Sequence, residues 1–353
     1  METLLQKEIN EQPAVLRRFV EEEVDNVREI ARRIRETDVH YAVIAARGTS
    51  DNAAIYTRYL LESFCDLPVS LAAPSIYTLY KSPPSLEKAL VVGISQSGKG
   101  ADVNAVVEEG RRQGALTLAL TNYAESPLAE AAAHTIQLRA GEEKSVAATK
   151  TYTSQLYAMA WLAAFLRQEK ASQQEEKERE AALRALPDQV AAVLALQELI
   201  AARAERYRYA SHLVVVGRGF NYATAFEVAL KLKELTYMVA EPYSSADFRH
   251  GPIAIVEGGF PVLAIAPTGA PLDDLAALIS DLEERGAELL VVSDRQELLE
   301  KARLPLRLPV TVEEWLSPIL CVLPGQLLAY HLALAKDLDP DNPRTLQKVT
   351  STL

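Results

Sequence analysis

A chain of 353 residues is too long for one ordinary core and fits two domains, each large enough to bury its own apolar centre. Its composition is that of a globular protein, and a formal charge of -11 argues against an electrostatic grip on nucleic acid or on an anionic membrane, leaving room for a local cationic pocket around one phosphate. Cys65 and Cys321 lie far apart in apolar runs and read as buried thiols; no apolar run reaches membrane-spanning length and the amino terminus lacks a signal-peptide pattern, so a cytoplasmic location is expected.

Residues 1–37 place Ile9, Val15, Leu16, Phe19 and Val20 ahead of a charged run, which predicts a helical lead-in. From Tyr41 to Ala46 a short apolar run has strand character; Arg47-Gly48-Thr49-Ser50 breaks it, and a helix is predicted from about Asp51 to Phe64. The order recurs as a strand over 90–94, the turn Ser95-Gln96-Ser97-Gly98-Lys99-Gly100, a helix over 102–113 and a strand over 116–120. Strands alternating with helices predict a parallel sheet covered on both faces, a doubly wound α/β domain over 38–167. Residues 168–200, rich in Gln, Glu, Lys and Arg, read as a solvated helical connector.

The first pattern then returns over 201–335: a strand over 213–216, a turn through Arg218-Gly219, a helix from Ala223, a strand over 260–266, the loop Pro267-Thr268-Gly269-Ala270-Pro271 and a helix ending near Gly286. Matched elements, including Arg47-Gly48 and Arg218-Gly219, lie about 172 residues apart, the mark of an internal duplication. The fold expected is therefore two similar doubly wound, flavodoxin-like parallel-sheet domains. Residues 336–353, broken by Pro340 and Pro343, predict an extended tail.

Within this frame a few stretches carry chemistry. On a helix over 225–238, Glu227, Lys231 and Glu234 fall at i, i+4 and i+7 and share one face, with Lys233 opposite. Phe248-Arg249-His250-Gly251-Pro252 then holds an imidazole between a cation and two turn-formers. Alone, these would describe a salt-laced helix and a turn. Ser95-Gln96-Ser97-Gly98, at the carboxyl end of a strand and just before a helix, combines unpaired N–H groups, hydroxyl donors and a glycine that admits close approach; a phosphate monoester suits it. Gly48-Thr49-Ser50 adds hydroxyls at a neighbouring strand end, whereas the second half has Pro267-Thr268-Gly269 there and is expected to keep the scaffold without the phosphate. The five histidines show no ligand spacing and the glycine turns lack a dinucleotide fingerprint, so neither metal nor cofactor is expected.

Taken together, Gly48-Thr49-Ser50, Ser95-Gln96-Ser97-Gly98, Val146-Ala147-Ala148-Thr149-Lys150, Lys231-Leu232-Lys233-Glu234, His250-Gly251-Pro252 and the tail from Arg344 to Lys348 resemble the sugar-isomerase (SIS) domain family. The likeness is to its double-SIS members, the isomerase portion of glutamine–fructose-6-phosphate aminotransferase and stand-alone type II glucosamine-6-phosphate deaminases. The resemblance implies that Thr49, Ser50, Ser95, Gln96 and Ser97 hold a sugar phosphate and that Val146 offers a backbone contact to the sugar. It implies further that Glu234 shuttles a proton between C1 and C2, Lys231 stabilises enolate charge, Glu227 orders the site, His250 opens the ring and Lys348 forms an imine with the ketose. In the family the histidine comes from the neighbouring subunit, which implies a homodimer.

Departures qualify the likeness. Arg47 stands where the aminotransferase pattern has cysteine, Gly100 where it has a phosphate-binding threonine, and Ala148 where a sugar-contacting serine is usual; Lys99 or Arg47 is left to supply charge to the phosphate. Residues 47–54 and 146–150 look more like the stand-alone deaminases, and the chain neither begins Met-Cys nor holds residues for a glutaminase domain. The function expected is interconversion of glucosamine 6-phosphate with fructose 6-phosphate and ammonia. Alternatives are a fructosamine-6-phosphate deglycase, another amino-sugar phosphate isomerase, or a non-catalytic sugar-phosphate sensor, against which the retained acid–amine set speaks. The expected ligand is a small sugar phosphate, and no nucleic acid or membrane partner is expected.

Overall fold

The structure, a computed structural model, describes residues 3–167 and 172–348. The first four residues of the expected connector and the last five of the expected tail lie outside the described residues. Strands β1 (Tyr41–Ala45), β2 (Val69–Leu71), β3 (Ala89–Ile94), β4 (Leu116–Thr121) and β5 (His134–Gln137) form one sheet in the order β2-β1-β3-β4-β5, every pair parallel. Strands β6 (His212–Gly217), β7 (Val239–Ser244), β8 (Pro261–Ile265), β9 (Glu288–Ser293) and β10 (Leu304–Arg307) form a second, in the order β7-β6-β8-β9-β10, again all parallel. Both sheets have the flavodoxin-like order 2-1-3-4-5, so the expected pair of doubly wound domains is what the chain forms.

The duplication reaches into the packing. β4 starts at residue 116 and β9 at residue 288, 172 further on. Val103, Val106 and Val107 bury the helix Ala101–Arg112 against the first sheet, and Leu275, Leu278 and Ile279, each 172 residues later, do the same for the helix Leu272–Glu284 against the second. That i, i+3, i+4 spacing is the apolar stripe of a helix lying on a sheet.

Contacts divide the chain into two compact units. The first-sheet unit comprises residues 12–143, 150–187 and the chain from Gln347; the second-sheet unit comprises the chain to Glu11, residues 144–149 and residues 188–346. In the first, the helix Lys150–Leu166 is buried over nearly its whole circumference and packs on the helix Thr49–Cys65. In the second, Ser317–Ala335 packs on Asn221–Thr236, and Gly325 makes the approach possible, because a Cβ there would collide with the Val228 side chain.

Two sequence-based expectations need correction. The stretches Gln173–Tyr207 and Glu314–Ala335 are long and apolar enough, by length and composition, to cross a membrane. In the second of these the apolarity has a local cause: a helix covered on all sides needs no polar face, and 89% of its most apolar window is buried. The connector is also less solvated than expected, since the helix Gln173–Leu194 buries Leu183, Leu186, Val190 and Val193 along one stripe.

Candidate active site

At the end of β1 the chain turns through Arg47 and Gly48 into the helix Thr49–Cys65. Gly48 has φ +56° and ψ -130°, a conformation that selects glycine, while the space around it would accept a side chain. Ser50 is buried, and its Oγ accepts a hydrogen bond from Gln155 Nε2 at 2.9 Å. Thr49 is half-buried beside it.

The turn after β3 is tied down by its own hydroxyls. Ser95 N–H donates to the Leu120 carbonyl at 3.1 Å, Ser95 Oγ accepts from Gly98 N–H at 3.1 Å, and Ser97 Oγ accepts from Lys99 N–H at 3.3 Å. The Gln96 carbonyl accepts from Asn122 N–H at 3.1 Å. Gly98, at φ +64°, is required twice over, because a Cβ would also collide with Ser126. The two serine hydroxyls, used as acceptors within the loop, keep their own protons to donate to an anion. Gly100 precedes the helix Ala101–Arg112 and offers no side-chain donor; Lys99 beside it and Arg47 just after β1 are exposed. Arg47 Nε donates to the buried Asp102 carboxylate at 2.7 Å.

Lys348 lies in this same unit. Its Nζ donates to Glu143 Oε2 at 2.9 Å, and the wholly buried Glu143 also accepts from Thr151 N–H at 3.2 Å and Thr151 Oγ1 at 2.7 Å. A tail lysine is thus seated on a carboxylate fixed by a helix start.

The second-sheet unit holds the other residues. On the helix Asn221–Thr236, Lys231 Nζ lies 2.5 Å from Glu234 Oε2 and 3.5 Å from Glu227 Oε1. Lys231 and Glu227 are 1% and 0% exposed, whereas Glu234 is 23% exposed. Removing such charges from water costs several kcal/mol per ion before pairing offsets it, so packing gives no reason for this triad. Only Glu234 faces outward.

Val146 sits in the segment 144–149, which Glu8 organises: its carboxylate accepts from Lys144 N–H, from Ser145 N–H at 3.2 Å and from Ser145 Oγ. The Thr149 carbonyl accepts from Gln326 Nε2 at 3.5 Å. His250 follows the short helix Ser245–Arg249 and is exposed, and Gly251 behind it has φ +135°. Buried Phe248 and the paired Arg249 anchor the loop: Arg249 Nη1 meets Asp274 Oδ1 at 2.6 Å and Arg218 Nη1 meets Asp274 Oδ2 at 2.8 Å, with Ser245 Oγ donating to the same carboxylate. Burial works against ionisation of Asp274, but donors from Ser245, Arg249 and Arg218 outweigh it and hold the carboxyl below its usual range.

Asp102, Asp274, Glu143 and Glu8 are the residues that sequence reasoning missed. A signal existed for the first two: each copy has an arginine just after its first strand and an aspartate in a helix first turn, 55 residues on in one and 56 in the other. Among the described residues no group of three or more His, Cys, Asp or Glu side chains is arranged to hold a metal ion.

Two 2-1-3-4-5 sheets with polar turns at the carboxyl ends of their first strands place the molecule among duplicated flavodoxin-like α/β proteins. The chain belongs to the SIS domain family, whose profile matches residues 37–165 and 207–336. It is 38% identical over 350 residues to the glutamine–fructose-6-phosphate aminotransferase [isomerizing] of Gloeobacter violaceus, covering 97% of this chain and 57% of that protein. The chain therefore spans little more than half the length of that relative. Among solved structures, the C-terminal domain of glucosamine-fructose-6-phosphate aminotransferase from Francisella tularensis superposes with a TM-score of 0.86 at 27% identity, over 97% of this chain and 99% of that one. A Silicibacter pomeroyi protein assigned to the phosphosugar isomerases superposes with a TM-score of 0.84 at 34% identity, over 96% of this chain and 100% of that one.

Proposed function

We propose that the protein interconverts glucosamine 6-phosphate with fructose 6-phosphate and ammonia. The observation that carries this reading is the Glu227–Lys231–Glu234 triad, in which a buried lysine separates one sealed carboxylate from one that reaches solvent. The similarity to the aminotransferase isomerase region and to a phosphosugar isomerase supports the substrate class.

In this reading Thr49, Ser50, Ser95, Gln96 and Ser97 receive the phosphate, helped by Arg47 and Lys99, and Val146 meets the sugar through its backbone. His250, supplied by a neighbouring subunit of a homodimer, opens the ring; its exposure in a single chain favours that role. Glu234 removes the proton from C2 of the open-chain aldose and returns it to C1, which converts the C2 amine to an imine. Lys231 steadies the negative charge that develops on O1, and Glu227 holds Lys231 in place. Lys348 exchanges with the imine nitrogen to release ammonia, and water then frees the ketose and the lysine.

The test is fructose 6-phosphate formation from glucosamine 6-phosphate by the purified protein. Glu234→Gln is expected to lower turnover by about 10²–10⁴-fold, the usual contribution of a positioned acid–base, without unfolding the chain. Absence of turnover in the wild type ends the reading. A second reading, removal of an amino acid from a fructosamine 6-phosphate, draws support from half-buried Ala148, which stands where a sugar-contacting serine is usual in the aminotransferase pattern. Comparing fructosamine 6-phosphates with glucosamine 6-phosphate as substrates separates the two.

A further inference from the structure

The turns after β1 and β6 are copies, yet their arginines are used differently. Arg47 and Arg218 are 171 residues apart and each pairs with an aspartate at the start of the next sheet-covering helix, Asp102 or Asp274. In the second-sheet unit that carboxylate is shared: Arg218 Nη1 reaches both Asp274 and Ser245, and Arg249 takes the other oxygen. The positions 171 residues before Ser245 and Arg249 are Pro74 and Thr78. Proline has no side-chain donor, and Thr78 Oγ1 donates to the Pro74 carbonyl at 3.2 Å. Asp102 is therefore left with Arg47 Nε and with its own helix, through Val103 N–H at 2.9 Å.

Three consequences follow for Arg47. Its guanidinium is oriented through Nε by a carboxylate only 1% exposed, while the arginine side chain itself is 53% exposed. Its Nη groups have no hydrogen-bond partner among the described residues. Its position is also fixed relative to the serine loop: Ala45 pairs with Gly93 across β1 and β3, so Arg47 and Ser95 each begin two residues beyond one register pair, on strands about 5 Å apart. A forked donor thus stands at the same sheet end as the Ser95 hydroxyl, in a loop where Gly100 contributes none.

Resting on the proposed sugar-phosphate reading, we infer that Asp102 is a positioning residue that aims the Arg47 guanidinium at the substrate phosphate, and that this pair sets the protein's selectivity for phosphorylated sugars. The forked donors of Arg47 take the place of a side-chain hydroxyl at residue 100. Lys99, a point charge on a flexible stem, adds attraction without direction.

Calorimetric titration with fructose 6-phosphate tests this on the full chain. Arg47→Ala is expected to weaken binding by about 10- to 100-fold, the range of a charge-assisted phosphate contact. Arg47→Lys, which keeps a cation beside buried Asp102 and loses the fork, is expected to weaken binding nearly as much while retaining the wild-type melting temperature. Asp102→Asn is expected to weaken binding several-fold in the wild-type background and not at all in the Arg47→Ala background, the non-additivity of residues acting through one contact. In steady state these changes should appear in KM with kcat near its wild-type value. Wild-type affinity in Arg47→Ala overturns the inference, and an equal effect of Asp102→Asn in both backgrounds overturns the positioning role. A wild type that binds fructose 6-phosphate and turns nothing over removes the proposed reaction and leaves the inference standing; one that fails to bind it removes both.

Discussion

Asp274 shows how one carboxylate can hold a loop that carries no regular structure. Three donors converge on it, from the turn after β6, the start of the helix Ser245–Arg249 and that helix's last residue, so His250 begins from a fixed base. Because its folded-state pKa lies below the ordinary value of about 4, the contribution of Asp274 to stability is complete above that value and is lost as pH falls through the lowered one. Urea midpoints are therefore expected to differ between wild type and Asp274→Asn at pH 7 and to converge as pH falls through the lowered value; a gap that stays constant over this range would show that ionisation is not the source. The triad on the Asn221–Thr236 helix was legible beforehand because residues four and three apart on one helix must share a face. The Asp274 network was not, because its partners are 25 to 56 residues away in sequence and no periodicity links them.

Among elements, the central strands other than β9 were readable and the edges were not. β1, β3, β4, β6 and β8 are short, predominantly apolar runs buried on both faces over most of their length, the pattern of a parallel sheet interior. β2 has three residues, β5 and β10 four each, and β7 carries Pro242, tolerated because an edge strand need not donate on its open side. The helix Ser317–Ala335 went unread for a different reason: with apolar residues on every side it has the composition of a membrane span and no one-sided stripe, and its position inside a core cannot be read from composition. Its contact with the helix Asn221–Thr236 depends on Gly325. Gly325→Ala is expected to destabilise the protein by about 1–3 kcal/mol through overpacking, measured by urea unfolding. Val228→Ala in the same chain should restore most of that loss, since it removes the side chain that the new methyl group meets. Failure of the rescue would place the strain elsewhere.

At the scale of the molecule, the proposed sharing of sites between subunits has a direct consequence. Glu234→Gln and His250→Asn proteins, each expected to be nearly inactive, should regain activity when unfolded together and refolded as a mixture. Half of a random mixture of dimers is mixed, and each mixed dimer has one intact site, so recovery towards about a quarter of wild-type activity is expected. If mixed dimers form, by tag pull-down, and stay inactive, His250 does not act across an interface. The duplication itself was visible in the sequence because strand, turn and helix repeat at one offset; the way the chain is apportioned was not, because nothing local marks residues 144–149 as belonging with the second sheet.

That apportioning limits how the chain can be taken apart. Along its length the polypeptide passes five times between the two units, near residues 11, 143, 149, 187 and 346. A gene bisected between its repeats would therefore yield fragments that each carry a borrowed strip of the other and lack one of their own.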